Sequence, residues 1–126
     1  MAQGGRQRVV LLTGAAGGIG HAMTDALVAA GHAVAAVDRD TQAMAQLAAE
    51  CRAIEPIIAD LASADGCAKA FDAAIARFGR VDAVVNNAGI GPSHVRPDAE
   101  ARLPAIEEMD PALWDRFFAI NVRAPM

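Results

Sequence analysis

A glycine-rich segment, Thr13-Gly14-Ala15-Ala16-Gly17-Gly18-Ile19-Gly20, is the part of the sequence best suited to bind a phosphate. We call residues 13–20 the glycine loop. It follows an apolar run and leads into a helical pattern, so it is predicted to join a strand to a helix. Glycine has no Cβ, so a pyrophosphate can approach the main-chain N–H groups, and a helix start adds partial positive charge. The loop therefore predicts a dinucleotide site, with a tight turn that binds nothing as the alternative.

An acidic residue, Asp38, ends the next apolar run and follows Gly20 by 18 positions. This is close to the spacing of roughly 20 residues expected for a ribose-binding carboxylate. A carboxylate repels a 2′-phosphate, so Asp38 favours NAD over NADP. The adjacent Arg39 is able to pair with a 2′-phosphate, but we expect the carboxylate to dominate and Arg39 to lie over the adenine or in solvent. A P-loop is excluded because no Lys-Ser or Lys-Thr pair follows the glycines.

Polar residues also end the third and fourth apolar runs. Asp60 follows residues 54–59, and Asn87-Ala88-Gly89 follows residues 81–86. Because the carboxyl ends of parallel strands meet at one edge of a sheet, we expect these residues to lie near Asp38 and the glycine loop. For Asn87 a turn residue that bonds neighbouring backbone is an equally compatible interpretation.

The apolar runs alternate with helical patterns, and the connections between them are short. Such alternation is typical of a parallel sheet with helices on both faces. It predicts an α/β fold with a single domain over residues 1–126: a Rossmann-like, doubly wound parallel sheet, strand order 3-2-1-4, followed by the start of the next helix. The predicted strands cover residues 8–13, 33–37, 54–59 and 81–86.

The predicted helices begin at residues that cap helix N-termini well. Asp40 or Thr41 is expected to cap the second helix, Ser63 the third and Asp110 the fourth. Apolar spacing predicts one buried face on each helix. The face of the first helix comprises Ile19, Ala22, Met23, Ala26, Leu27 and Ala30, and that of the third comprises Cys67, Phe71, Ala74, Ile75 and Phe78.

Residues 90–109 contain three prolines and show no regular period. A connection of this length in a compact domain is often functional or mobile. It carries His94, for which an exposed loop position is expected and a contact with passing substrate is the alternative.

The overall composition narrows the class of function. The net charge of −4 and a pI near 5.2 argue against nucleic acid or an anionic membrane as partner. The two cysteines, Cys51 and Cys67, form no CxxC pair, so we expect half-buried thiols and no metal site. The sequence shows neither an apolar signal-peptide core nor a run long enough to span a bilayer, which predicts a cytoplasmic protein.

These motifs, in this order, resemble the short-chain dehydrogenase/reductase family. Residues 13–20 are similar to its TGxxxGIG fingerprint, and Asp60-Leu61 to its acidic position after strand 3. Asn86-Asn87-Ala88-Gly89 is similar to its NNAG motif, and Asn121 to the asparagine of its catalytic helix. The resemblance covers nearly the whole chain.

The resemblance implies an NAD(P)-dependent oxidoreductase that transfers hydride between a nicotinamide and a small alcohol or carbonyl substrate. It assigns the ribose to Asp38, the adenine to Asp60 and Leu61, and the wall near strand 4 to Asn87, Ala88 and Gly89. The pyrophosphate is assigned to four residues of the glycine loop: Gly14, Gly18, Ile19 and Gly20. With Arg39, the predicted cofactor-binding residues are Gly14, Gly18, Ile19, Gly20, Asp38, Arg39, Asp60, Leu61, Asn87, Ala88 and Gly89.

Asn121 would belong to the Asn-Ser-Tyr-Lys tetrad of this family and anchor a water for proton relay. The serine and the Tyr-x-x-x-Lys pair are expected after Asn121, and the chain contains no tyrosine. We therefore expect a truncated, cofactor-binding half that is inactive by itself. A non-catalytic dinucleotide-binding module and an inactive fragment are the alternatives. The family also implies a homo-oligomer that pairs through the helix carrying Asn121.

Overall fold

The computed structural model describes residues 5–126, in which four strands alternate with helices. The strands are β1 (Val9–Thr13), β2 (Ala33–Asp38), β3 (Ile54–Ile58) and β4 (Ala83–Val85). The α-helices are α1 (Gly18–Ala29), α2 (Thr41–Glu50), α3 (Ala64–Phe78) and α4 (Pro111–Phe118). Short 3₁₀ turns cover Pro92–His94 and Ile106–Glu108, and a π-helical turn over Ala119–Arg123 continues α4.

The four strands form one parallel sheet in the order β3-β2-β1-β4, which confirms the predicted order. In register, Val10 of β1 lies opposite Val34 of β2 on one side and Ala83 of β4 on the other. The carboxyl ends of all four strands therefore lie along a single edge of the sheet, where the predicted site residues follow.

Two apolar layers hold the helices against the sheet, one on each face. Leu11 and Leu12 are adjacent in β1 and point to opposite layers, as successive strand residues do. The layer under α3 consists of Leu11, Ala35, Val37, Ile57, Ala59, Ala70 and Ala74. The layer under α1 and α2 consists of Leu12, Ala15, Val34, Ala36, Met44 and Leu47.

The predicted helix caps are confirmed. The side chains of Asp40, Ser63 and Asp110 each accept a hydrogen bond from a backbone N–H in the first turn of α2, α3 and α4. Each such cap stabilises a helix by about 1 kcal/mol because it satisfies a donor that the helix cannot pair internally.

The predicted buried face of α1 is wrong for most of its residues. Ile19 is 72% exposed, and Ala22, Ala26 and Ala30 are also exposed. The helix instead turns Gly20 and Thr24 to the sheet, with Met23, Leu27 and Val28 half-buried beside them. The reason is that the backbone of Gly20 lies directly against the Gly14 carbonyl. The helix is therefore rotated so that Gly20, which has no side chain, faces the sheet. The Thr24 hydroxyl avoids a desolvation cost by donating to the Gly20 carbonyl at 2.9 Å.

The predicted face of α3 is correct at Ala74 but wrong at Phe71 and Ile75, which are 47% and 37% exposed. α3 packs on β1 and β3 through Ala70 and Ala74, which leaves Phe71 near the outer edge of β4, where it lines a shallow pocket with Val84. No element in the described part of the chain covers that edge, where Val84 is also 49% exposed.

β4 is shorter than the predicted strand over residues 81–86. Among the described strands it pairs only with β1, and it ends where the Asn87 N–H donates to the Val85 carbonyl at 3.0 Å. A strand at the edge of a sheet is hydrogen-bonded on one side only, so its regular pairing covers fewer residues than that of a central strand.

The carboxylate of Asp82, just before β4, forms a hydrogen bond to the first residue of β1. Asp82 accepts from the Val9 N–H at 2.7 Å and from Arg80 Nε at 2.9 Å, while Arg80 Nη2 donates to the Gln7 carbonyl at 2.9 Å. The Val9 hydrogen bond, followed by that from Arg80, holds the pKa of Asp82 below its usual range.

The long connection over residues 90–109 is ordered by ion pairs around Arg96, whose side chain is only 16% exposed. Arg96 Nη1 lies 2.9 Å from Glu108 Oε1, and Arg96 Nε and Nη2 both donate to Asp98. Hydrogen bonding to Asp98 raises the pKa of Arg96, and the same bond lowers the pKa of Asp98. We call Arg96, Asp98 and Glu108 the arginine clamp.

Two further features of the described residues bear on the class of function. Within residues 5–126 no helix combines the length and apolarity needed to cross a bilayer. The same residues contain no group of three or more His, Cys, Asp or Glu side chains placed to hold a metal ion. Cys51 and Cys67 are half-buried free thiols, as predicted.

Candidate dinucleotide-binding site

A cavity of about 360 Å³ lies at the carboxyl edge of the sheet. All the residues predicted to bind cofactor line it, so the structure brings them together; their contacts with a nucleotide stay a prediction. Five lining residues were not among the predicted cofactor-binding residues, although Gly17 lies in the glycine loop and a substrate contact was the alternative for His94. The cavity is lined by Gly14, Gly17, Gly18, Ile19, Gly20, Asp38, Arg39, Ala59, Asp60, Leu61, Asn87, Ala88, Gly89, Ile90, His94 and Ile120.

Two glycines of the loop are required by the fold of the loop itself. Gly14 has a φ of +65°, and a Cβ there would lie 2.9 Å from Ala88 Cα. A Cβ on Gly20 would lie 2.0 Å from the Gly14 carbonyl oxygen. Only glycine permits these approaches, which place the start of α1 directly against the end of β1.

Gly18 differs from these two because a Cβ there would meet no protein atom within 4 Å. It is the first residue of α1, and no side chain in residues 5–126 caps this helix. The N–H groups of the first turn have no partners within the helix, and the helix start carries partial positive charge. The loop therefore presents free donors and open space on the side of the cavity, the arrangement that suits a pyrophosphate.

Asp38 is half-buried at the end of β2, next to the glycine loop. Its Oδ2 accepts from the Ala16 N–H at 3.1 Å, and its Oδ1 accepts from the Asp40 N–H at 3.1 Å. Each carboxylate oxygen has a second acceptor position, so two remain for ribose hydroxyls. Arg39 is exposed and forms no ion pair with the described residues.

Asp60 and Leu61 follow β3 at the same end of the cavity as Asp38. Asp60 Oδ1 accepts from the Ala62 N–H at 3.0 Å, and Arg116 Nη2 of α4 approaches Asp60 Oδ2 at 3.6 Å. Arg116 Nη2 is buried and has no hydrogen-bond partner in residues 5–126. This ion pair links α4 to the cavity edge.

Asn87 and Thr13 join the glycine loop to the end of β4. Asn87 Nδ2 donates to the carbonyls of Thr13 and Gly14, both at 3.1 Å. The Thr13 hydroxyl donates to the Val85 carbonyl at 3.3 Å and accepts from the N–H groups of Asn87 and Ala88. Asn87 therefore bonds backbone far away in the sequence and not only its neighbours. Thr13 was not predicted as a site residue, although a hydroxyl at the end of a buried strand is a usable signal.

Asn121 lies in the π-helical turn after α4 and does not line the cavity. Its Oδ1 accepts from the Ile90 N–H at 2.8 Å, and its Nδ2 donates to the Ile90 carbonyl at 2.9 Å. Both ends of the amide are thus used to hold the segment after β4, and Ile90 in turn lines the cavity.

The sequence resembles enzymes over almost its whole length. Residues 8–126 match the family model for short chain dehydrogenases. D-threitol dehydrogenase of Mycolicibacterium smegmatis is 38% identical over 119 residues, which cover 91% of this chain and 42% of that protein. This chain therefore spans less than half the length of that relative.

Solved structures agree in fold. A 3-ketoacyl-(acyl-carrier-protein) reductase from Brucella melitensis complexed with NADH has a TM-score of 0.79 and 34% identity, covering 94% of this chain and 45% of that one. A metagenomic short-chain oxidoreductase in complex with NADP has a TM-score of 0.79 and 32% identity, covering 94% of this chain and 51% of that one. With its sheet order, its glycine loop and the match over residues 8–126, the chain belongs to the short-chain dehydrogenase family.

Proposed function

We propose that this chain is the NAD-binding part of an oxidoreductase that transfers hydride between a nicotinamide and a small alcohol or carbonyl substrate. The observation that carries the proposal is the position of Asp38. Its half-buried carboxylate lies at the end of β2, bonds the Ala16 N–H of the glycine loop, and keeps free acceptor positions beside the cavity.

The strand order supports one orientation of the dinucleotide along the edge of the sheet. Asp60, Asp38, the glycine loop and Asn87 follow β3, β2, β1 and β4, in the order of the strands across the sheet. Adenine would lie near Asp60 and Leu61, and its ribose near Asp38. The pyrophosphate would then meet the N–H groups at the start of α1, and the nicotinamide end would lie beyond Asn87.

The free cavity fits such a group because Gly18 leaves room where a side chain would otherwise project. Bound NAD supplies the hydride acceptor, and the chain supplies the binding and orientation. Asn87 and Thr13 fix the distance between the loop and the end of β4, so they set the cavity width at the nicotinamide end.

Asn121 is, within this proposal, a positioning residue for the Ile90 wall, because both ends of its amide are bound to Ile90. Its side chain is then engaged in holding this wall and would not be the group that anchors the relay water. The substrate class follows the relatives, which are dehydrogenases and reductases of small molecules by name.

The choice of NAD over NADP is also a proposal, since the two related structures contain NADH and NADP respectively. Asp38 would place its negative charge against a 2′-phosphate, while Arg39 has an exposed side chain that must be ordered before it pairs with one. The fixed carboxylate therefore outweighs the free guanidinium.

The Asp38→Asn variant tests this choice. Asparagine retains an oxygen for the Ala16 N–H but carries no charge and loses the acceptor for the Asp40 N–H. The bond to the glycine loop is therefore kept and the repulsion is lost. We expect the ratio of the NADP and NAD dissociation constants to fall at least about tenfold, equivalent to about 1.4 kcal/mol, when both are measured by calorimetry. Asp40→Asn is the control, because Asp40 caps α2 and is expected to leave the ratio unchanged. An unaltered ratio in Asp38→Asn would remove Asp38 from the ribose.

A further inference from the structure

The β4 end of the cavity contains one polar side chain to which the proposed function gives no role. His94 ends the 3₁₀ turn Pro92–His94 and lines the cavity together with Ile90 and Ile120. Asn87 lies at the same end, but both of its Nδ2 hydrogens are used by the carbonyls of Thr13 and Gly14.

The hydrogen bond that His94 makes defines which of its nitrogens can donate. Its Nδ1 lies 3.3 Å from the Gly91 nitrogen and accepts from that N–H. In a neutral imidazole, a nitrogen that accepts carries no proton, so the proton is on Nε2. His94 therefore has an Nε2–H donor that no described residue receives.

The position of His94 along the sheet edge separates it from the adenosine end. Neighbouring strands lie about 4.8 Å apart, so β4 is about 10 Å from β2, where Asp38 would hold the ribose. With the pyrophosphate at β1, the part of the dinucleotide that remains for the β4 end is the nicotinamide, and the substrate must reach the same end.

The turn that carries His94 is held in place. The Arg96 N–H donates to the Pro92 carbonyl at 3.2 Å, immediately after the turn. The arginine clamp then ties this point to Glu108, whose Oε2 accepts from the Ala105 N–H at 2.7 Å. The Arg96 guanidinium thus joins the residues just after the turn to the far end of the connection, which keeps His94 on the cavity wall.

We propose that His94 determines substrate specificity by donating a hydrogen bond from Nε2–H to a hydroxyl oxygen of the substrate. The substrate class is then a hydroxylated alcohol or ketone and not a purely alkyl one, since Ile90 and Ile120 supply only apolar surface around the imidazole. This inference rests on the proposed function, because it needs the nicotinamide at the β4 end.

The test uses the ¹⁵N-labelled 126-residue chain and histidine NMR signals. ADP is added first and then NAD, and the amides of Ala16 and Asp40 beside Asp38 report binding of the adenosine part. NAD is expected to shift the His94 imidazole signal, whereas ADP leaves it in place. Hydroxyacetone and butanone are then titrated into the NAD-loaded chain. Hydroxyacetone has a hydroxyl group where butanone has a methyl group. Oxidised NAD carries no hydride that could reduce either ketone.

Hydroxyacetone is expected to shift the His94 Nε2 signal more than butanone does. In His94→Phe its dissociation constant is expected to rise about fivefold, as for the loss of one neutral hydrogen bond, while that of butanone stays constant. His94→Gln retains an N–H donor and is expected to restore part of the preference, which a purely structural role would not do.

The outcomes separate the two proposals. If neither nucleotide moves the Ala16 and Asp40 amides, the proposed function fails, and the role of His94 fails with it. If these amides move but the His94 signal responds equally to ADP and NAD, or the two ketones act alike, the nucleotide site stands and the role of His94 is overturned.

Discussion

Replacing Gly18 by valine is expected to abolish detectable NAD binding while leaving the thermal unfolding temperature of the chain nearly unchanged. A Cβ at Gly18 meets no protein atom within 4 Å, so the fold accepts the side chain. The added methyl groups would occupy the space in front of the free N–H groups at the start of α1. Loss of two hydrogen bonds to a charged phosphate costs about 3 kcal/mol or more, a fall in affinity of at least about 100-fold by calorimetry.

Gly20→Ala is the matched comparison for this variant. Its Cβ would lie 2.0 Å from the Gly14 oxygen, so the loop must shift, and we expect a lower unfolding temperature even without nucleotide. Unimpaired NAD affinity in Gly18→Val would show that the glycine loop is only a turn.

The second large effect is expected for Asn87→Ala, which removes both hydrogen bonds to the carbonyls of Thr13 and Gly14. These carbonyls are partly buried, and the Gly14 carbonyl keeps only the long bond from the Gly17 N–H at 3.3 Å, so the loss costs about 1–3 kcal/mol of folding free energy. The glycine loop then stays attached to the end of β4 through the Thr13 hydroxyl alone, so NAD affinity is expected to fall as well. Urea unfolding and calorimetry with NAD measure the two effects separately.

Asn86→Ala is the control because Asn86 is the neighbouring asparagine and is exposed. Its amide makes a single long hydrogen bond, 3.4 Å to the Pro125 carbonyl, and we expect little change in stability or affinity. Equal effects of the two alanine variants would contradict the role assigned to Asn87.

The strand order and the helix caps were predictable because they follow from local chemistry. Asp40, Ser63 and Asp110 can act as caps wherever a helix begins after them. The order 3-2-1-4 follows from right-handed connections together with the strand order of the Rossmann fold, and neither depends on side-chain detail. For the same reason, residues that end successive strands were expected to converge, and the cavity contains them.

The buried faces of the helices were less predictable, because they depend on how closely each helix approaches the sheet. The contact between Gly20 and the Gly14 carbonyl rotates α1, and Ile19 is exposed although its hydrophobicity suggests burial. Phe71 is exposed because α3 packs through Ala70 and Ala74, which lie closer to the sheet. Hydrophobic periodicity contains no information about such approaches.

Within the candidate site, the sequence indicated where the residues that follow strands lie, but it gave no indication of the distant contacts that hold His94 and Asn121 in place. His94 reaches the cavity because the arginine clamp closes a 20-residue connection that has no regular period. Likewise, the contact between Asn121 and Ile90 joins segments 31 positions apart. Contacts between such distant segments can be identified only in the folded structure, whereas the spacing of a motif can be read from the sequence.

Calorimetric titration of the purified 126-residue chain with NAD, followed by NADP, measures directly whether the cavity at the carboxyl edge of the sheet binds this dinucleotide. We predict a saturable heat with NAD, a binding constant for NADP weaker by at least about tenfold, and a rise in unfolding temperature that grows with NAD concentration. At a concentration 100 times the dissociation constant, that stabilisation amounts to about 2.7 kcal/mol. No heat and no stabilisation at millimolar NAD, or tighter binding of NADP, would contradict the account.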